Sequence, residues 1–397
     1  MKEKLAIDGG KPVRTEPFPA WPVYDEDEIE ALTEVVKSGK WGALAGDKVM
    51  QFERAFASFQ QAKFGLCVVN GTAALEVSMR ALGIGPGDEV ITTPYTFIAT
   101  PNAAILVGAV PVFVDIDPDT YMIDARLIEG AITERTRAIM PVHLAGCPAD
   151  MDAILDIAQQ HRLFVIEDAC QAWGAEWKGR KVGAIGNMGT FSFQSSKNIT
   201  AGEGGIIVTN DSHLSELAWS LHNIGRCPTG EWYGHLRVGW NYRMTEWQGA
   251  VLLVQFGRLP QQMARRDENA AYLTEQLGQI PGIQPLKVDE RVTHHSWHLF
   301  ILRYDANAFN GLPRHDFIAA LCAEGIPCSS GYWSLTRAPA ILNALSAMGA
   351  SSPQPCPVSD RACDEEGVWL QQNLLLGTET DMDSIVEAMA KIQAVRS

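Results

Sequence analysis

The sequence predicts an α/β protein: a largely parallel sheet between helices, followed by a smaller α+β unit. Two observations carry this. From about residue 66 to residue 222, short apolar strand-like runs alternate with helical runs at strand–helix–strand spacing. From about Trp247 the alternation stops, and helical patterns flank fewer strands. At 397 residues, 46% hydrophobic and 20% charged, the chain has ample material for a large core. The expected division is 13–250 for the large unit and 251–397 for the small one, with residues 1–12 packing on the latter.

Residues 25–39 read as a helix, with an acidic first turn, Ile29, Leu32, Val35 and Val36 on one face, and Gly39 as the stop. Phe52, Phe56 and Phe59 mark a second helix at helical spacing and read as core. Strand-like runs follow at 66–69, 89–92, 110–114, 138–142, 163–166, 189–193 and 205–209. Helices fall between or after them at 73–82, 98–107, 151–160 and 214–222. Beyond these, helices are expected at 246–259 and 263–277, a strand at 297–304, and helices at 315–324 and 381–395. The stretch 343–357, rich in Ser, Ala and Pro, reads as an exposed loop.

A net charge of −15 argues against non-specific binding to nucleic acid or anionic membranes. Any phosphate site must then be built locally, from backbone N–H groups and a few side chains. The eight cysteines form no CxxC pair and no zinc-like set with histidine, so they read as reduced core residues of a cytoplasmic protein. His294, His295 and His298 run straight into an apolar strand pattern and have no partner motif, so no metal site is expected. The N-terminal stretch lacks the apolar core of a signal peptide. The longest apolar run, 103–114, is too short to span a bilayer and contains Gly108 and Pro111.

The candidate site lies in the residues just past the strand ends, because open α/β sheets bind ligands beyond the carboxyl ends of their strands. Lys197 sits in FSFQSSKNITAGEGG, between two apolar strands, among small polar residues and glycines. Desolvation at the floor of a cleft would lower its pKa and free a nucleophilic amine. Asn70-Gly71-Thr72 joins a strand to a helix, where N–H groups can cradle phosphate; a simple capped turn accounts for it equally well. Asp168 follows the strand that ends at Ile166, where an acid lies among the ligand-binding positions or serves as a helix N-cap. Ser192 offers a hydroxyl at a strand end, and Tyr95-Thr96-Phe97 an aromatic face. A lysine, an acid, a phosphate cradle and an aromatic plate are together what pyridoxal 5′-phosphate requires.

Nearly the whole chain resembles the DegT/DnrJ/StrS family of sugar aminotransferases, which share the aspartate-aminotransferase fold. The resemblance rests on NGTAALEVSMRALGIGPGDEVI, PYTFIAT, GAVPVFVDID, IMPVHLAG, VIEDACQAWGA, FSFQSSKN with GEGG, and GWNYRMTEWQGA. It implies Lys197 as the Schiff-base lysine and Asp168 as partner of the pyridine nitrogen. It implies Gln171 near the phenolic oxygen, Phe97 as the stacking ring, and Gly71, Thr72 and Ser192 as phosphate ligands. Asn241 resembles the asparagine lent to that phosphate by a neighbouring subunit, which implies a homodimer with shared active sites. Trp173 departs from the pattern, since many members carry histidine there. The implied chemistry is ping-pong transfer of an amino group from glutamate or glutamine to a keto sugar, often nucleotide-linked, or to a keto cyclitol. The opening PFPAWPVYDEDE and the ALAGD segment resemble the branch of inosose aminotransferases and 3-amino-5-hydroxybenzoate synthases. A dehydratase or lyase on the same cofactor and a non-catalytic sensor are the competing readings. Retention of Lys197 favours transamination over dehydration, and Lys197 with Asp168 argues against a sensor.

Overall fold

A computed structural model describes residues 4–231 and 233–396. The helix α1 (Glu26–Ser38) begins at Asp25, whose carboxylate accepts from the Asp27 N–H while Glu28 reaches back to the Asp25 N–H. Its inward face differs from the expected apolar stripe. Val35 is buried, but Ile29 and Val36 lie on the exposed side in the single chain. Glu28 takes the inward position, its carboxylate held by Arg258 and by the Gln255 amide at 2.7 Å. An ion pair, not an apolar stripe, therefore anchors this helix. In α2 (Lys48–Phe59), Phe52 and Phe56 are fully buried and meet Phe191 and Phe193 edge-on at 5.0–5.5 Å.

Seven strands form the main sheet: β1 (Phe64–Val68), β2 (Glu89–Thr92), β3 (Val110–Phe113), β4 (Thr136–Ile139), β5 (Phe164–Asp168), β6 (Met188–Ser192) and β7 (Gly205–Thr209). Their order is β1-β7-β6-β5-β4-β2-β3. Pairings from β6 through β3 are parallel, whereas β7 runs antiparallel to both β6 and β1. Only β7 is reversed, so its first residue, Gly205, lies at the end of the sheet where the other strands finish. Helices α3 (Gly71–Ala81), α4 (Ala99–Leu106), α5 (Met151–His161) and α6 (Ser212–His222) follow β1, β2, β4 and β7. β5, β6 and β7 are buried along nearly their whole length, as expected for strands covered on both faces.

The helix α7 (Glu246–Leu277) corrects the sequence reading. It is a single run of 32 residues with Pro260 inside, where two helices were expected. Proline removes one helical hydrogen bond, but burial on both sides of it holds the helix together. Leu252 and Leu259 pack into the core under the main sheet, whereas Ala270, Leu273 and Leu277 pack into a second core. That second core lies against a three-stranded sheet in the order β8-β9-β10, made of β8 (Ile283–Pro285), β9 (Leu299–Tyr304) and β10 (Gly367–Gln371). Helices α8 (Arg314–Ala323) and α10 (Glu379–Arg396) join it; α9 (Pro339–Ala347) buries Ile341 and Leu345 in a smaller cluster. The stretch 343–357 thus begins as helix, through Ala347, because Ile341 and Leu345 find an apolar seat, and the rest is irregular up to Pro357. Leu5 is buried in the second core, and the N–H groups of Ala6 and Val13 donate to the buried Glu324 carboxylate at 2.8 and 3.0 Å.

Candidate active site

A cavity of about 640 Å³ opens at the carboxyl ends of the strands. Gly71, Thr72, Phe97, Asp168, Gln171, Ser192 and Lys197 all line it. Asn241 does not. It is exposed, bridged through its backbone to Asn223, and outside this chain's own cavity.

Lys197 sits in the loop between β6 and the reversed β7. Its N–H donates to the Gln194 carbonyl at 2.9 Å, and the Thr200 hydroxyl donates to the Phe193 carbonyl at 2.9 Å, so the loop is a set of tight turns. The Lys197 ammonium loses solvation inside the cavity. Burial lowers its pKa, against the opposing influence of Cys170 and Asp168. The amine lies 5.9 Å from the centre of the Trp173 ring.

Asp168 ends β5, and no helix starts behind it, which removes the helix-cap reading. One carboxylate oxygen accepts the Thr100 hydroxyl at 2.8 Å, and that hydroxyl lies 2.9 Å from Thr96. The other accepts the Cys170 N–H at 3.2 Å. Glu167 beside it serves the opposite face, as strand alternation requires. Its carboxylate accepts N–H groups from Gly183, Ile185 and Gly186 at 2.6–2.8 Å and lies 3.0 Å from His143 Nε2. Of two adjacent acids, one braces the fold and one faces the cavity.

The Asn70 side chain caps α3 by accepting the Ala73 N–H at 2.8 Å, which bears out the capped turn, and Gly71 and Thr72 line the cavity. A Cβ at Gly71 would lie 2.9 Å from both Cys170 Sγ and Ser192 Cβ, and one at Gly205 would lie 2.5 Å from the Asn70 backbone. Glycine here lets three strand ends close around a helix N-terminus, whose partial positive charge suits an anion. Tyr95, offered by sequence as part of an aromatic face, is fully buried behind the cavity and accepts the Trp369 Nε1–H at 3.1 Å. Phe97 lines the cavity and is 59% exposed in the single chain.

The opposite wall has no counterpart in the sequence reading. It consists of His298 at the head of β9, Tyr332, and Trp369 of β10. Gln171 bridges the two walls: its side-chain oxygen accepts the Ala145 N–H at 2.8 Å, and its Nε2 donates to the Tyr332 hydroxyl at 2.8 Å. His298 is more telling. The Asn198 amide donates through Nδ2 to the Ser296 carbonyl at 2.7 Å, which turns its Oδ1 toward His298 Nδ1 at 3.1 Å. An oxygen can only accept, so His298 Nδ1 carries the proton and Nε2 presents a lone pair. That lone pair lies 3.5 Å from Lys197 Nζ. Burial, then the charges of Lys197 and Arg266, push the His298 pKa well below its ordinary value, so the ring is neutral. The Trp173 ring stands edge-on to His298 at 5.6 Å. The available signal was a polar residue heading an apolar strand, which the absence of a metal motif had set aside.

Fold and cavity together define the class: an α/β protein with a cavity at the strand ends that a desolvated lysine lines. The chain belongs to the DegT/DnrJ/EryC1/StrS aminotransferase family, which it matches over residues 22–390, and it is an aminotransferase. It is 41% identical to a putative L-glutamine:3-amino-2,3-dideoxy-scyllo-inosose aminotransferase of Streptoalloteichus tenebrarius, across 99% of this chain and 98% of that one. It is 37% identical to 3-amino-5-hydroxybenzoate synthase of Amycolatopsis mediterranei, across 94% of this chain and 96% of that one. The crystal structure of a 3-amino-5-hydroxybenzoic acid synthase superposes with a TM-score of 0.90 at 36% identity, covering 96% of this chain and 100% of that one. Among the described residues no helix is long and apolar enough to cross a membrane.

Proposed function

We propose that this chain binds pyridoxal 5′-phosphate in the cavity and moves an amino group from glutamine, or glutamate, to a keto cyclitol. The observation that carries the reading is the desolvated Lys197 amine facing the same cavity as the Asp168 carboxylate. The donor and acceptor follow the names of the inosose aminotransferases that the chain resembles over nearly its whole length.

The residues present fit the cofactor. A helix N-terminus closed by Gly71, with Thr72 and Ser192 beside it, offers donors to a phosphate. Asp168, kept oriented by Thr100, would hold the pyridine nitrogen as a cation. Phe97 would cover the ring, and Gln171, which has one amide N–H beyond that used by Tyr332, would meet the phenolic oxygen. Lys197 would hold the cofactor's aldehyde carbon. When bound, the group supplies an electron sink for the carbon that gains or loses the amine. The chain supplies the proton handling. Lys197 Nζ, whose pKa burial lowers, takes the proton from the donor's α-carbon and returns one to the acceptor half-reaction. Asp168 keeps a positive charge stable where the electron pair is drawn.

The same reading makes residues 13–250 a large cofactor-binding unit and residues 251–397 a smaller one; two buried cores support two units, although Leu252, Leu259, Leu299 and Ile301 of the second unit pack into the first core. It makes the protein a cytoplasmic homodimer, in which Asn241, exposed and outside its own cavity, reaches the partner's phosphate site. Sedimentation as a monomer at working concentration would remove that part. The test of the whole is a panel of acceptors offered with glutamine: inososes and nucleotide-linked keto sugars, with product followed by mass. Amination of an inosose is expected. Amination of the nucleotide sugars alone would overturn the acceptor assignment, and no amination of either would overturn the function.

A further inference from the structure

Helix α8 ends at Ala323, and Gly325, whose φ is +95°, reverses the chain; the Ile326 N–H then donates back to the Leu321 carbonyl at 3.1 Å. The returning segment lays Cys328 against the last turn of the helix. Cys328 Sγ lies 3.8 Å from the Ile318 carbonyl and 3.7 Å from Cys322 Sγ. Ile318 and Cys322 are one helical turn apart and share a face, so the second thiol sits directly over the first. Cys322 is exposed, unlike the buried Cys67, Cys147, Cys356 and Cys363.

We infer that Cys322 and Cys328 form a peroxide-oxidised, reversible disulfide, a modification site apart from the cavity. The contact with the Cys328 thiol lowers the Cys322 pKa to about 6 and raises that of Cys328. Cys322 is therefore the exposed thiolate that attacks. Its sulfur takes one oxygen of a hydroperoxide, the O–O bond breaks, and water or an alcohol leaves with a proton from solvent. The resulting sulfenic acid is attacked by Cys328, which gives up its proton. The S–O bond breaks, water leaves, and the disulfide forms. One two-electron oxidant is consumed and two thiols are oxidised. The bond would tie α8 to the segment 328–332, which pairs with β10 through Ser329 and Trp369 at 2.8 and 3.1 Å and delivers Tyr332 to the cavity wall.

Both cysteines fall in one tryptic peptide, residues 315–337, between Arg314 and Arg337. The native protein is treated with hydrogen peroxide, alkylated with N-ethylmaleimide and digested. The peptide is expected to lose two hydrogens and both adducts, and a thiol reductant should restore both. In Cys328→Ser the reaction should stop at a Cys322 sulfenic acid that dimedone traps, and in Cys322→Ser residue Cys328 should stay reduced. Retention of both adducts at a peroxide dose that oxidises free glutathione would overturn the inference. So would conversion of Cys322 to sulfinic acid with no disulfide.

Discussion

The cavity has two walls of different origin. On one, Thr72, Asp168, Ser192 and Lys197 each stand within about five residues of the carboxyl end of a main-sheet strand. On the other, His298, Tyr332 and Trp369 come from much later in the chain and are brought in by the second sheet. The first wall carries groups with a charge or a nucleophile. The second carries neutral groups whose hydrogen bonds reach across to the first, at Gln171 and Lys197. Chemistry is assigned by local sequence on one side, and aim is supplied by tertiary packing on the other.

Substitutions should separate the two walls. On the first, Asp168→Asn removes the charge that is proposed to steady the cofactor's ring nitrogen. The expected loss in kcat is at least about 100-fold, roughly 3 kcal/mol of barrier. Near-normal turnover would mean that the acid is misassigned and that the walls do not differ as described.

On the second wall, His298→Phe removes the lone pair that receives a Lys197 N–H and leaves the amine free to rotate. A loss of about 10-fold is expected. Asn198→Leu should do much the same, since it frees the histidine tautomer without touching the lysine. A merely structural role would lower stability while leaving the amine alone, so the informative readout is the rate of reductive methylation of Lys197 against pH. The lowered Lys197 pKa means that its neutral fraction, and hence this rate, rises with pH at values below the usual lysine range. His298, neutral well below its ordinary pKa, adds no second limb. A limb near pH 6–7 in the wild type that vanishes in His298→Phe would show the histidine to be charged and the tautomer argument to be wrong.

Smallest should be Tyr332→Phe, which deprives Gln171 Nε2 of its 2.8 Å acceptor. A single neutral hydrogen bond is worth about 1 kcal/mol, so a loss of about fivefold is expected in kcat/KM. A loss as large as that of Asp168→Asn would place the tyrosine hydroxyl in the chemistry and erase the contrast between the walls.

The same contrast explains what could be read from sequence. The strand-end wall was legible because a strand followed by a turn fixes where the next few side chains lie, and Lys197, Asp168 and Gly71 each occur in such a turn. His298 was not legible, because its meaning depends on Asn198 and Ser296, and only folding brings Asn198, 100 positions away, against it. The continuous α7 was hidden for a related reason. Pro260 is a local breaker, and the burial that overrides it comes from two cores the helix reaches only in the folded chain. The exposed Ile29 and Val36 show the converse: helical spacing located the helix, but the ion pair of Glu28 with Arg258 chose its inward face.

The most direct test of the central claim is covalent. The protein is loaded with pyridoxal 5′-phosphate, reduced with borohydride and digested with trypsin. Modification at Lys197 blocks cleavage there, so residues 182–226, between Lys181 and Arg226, should appear as one peptide carrying a single reduced phosphopyridoxyl group. Lys197→Ala should incorporate none. A label on another lysine, or no label in protein that is folded and loaded, would contradict the assignment of Lys197 as the centre of the site.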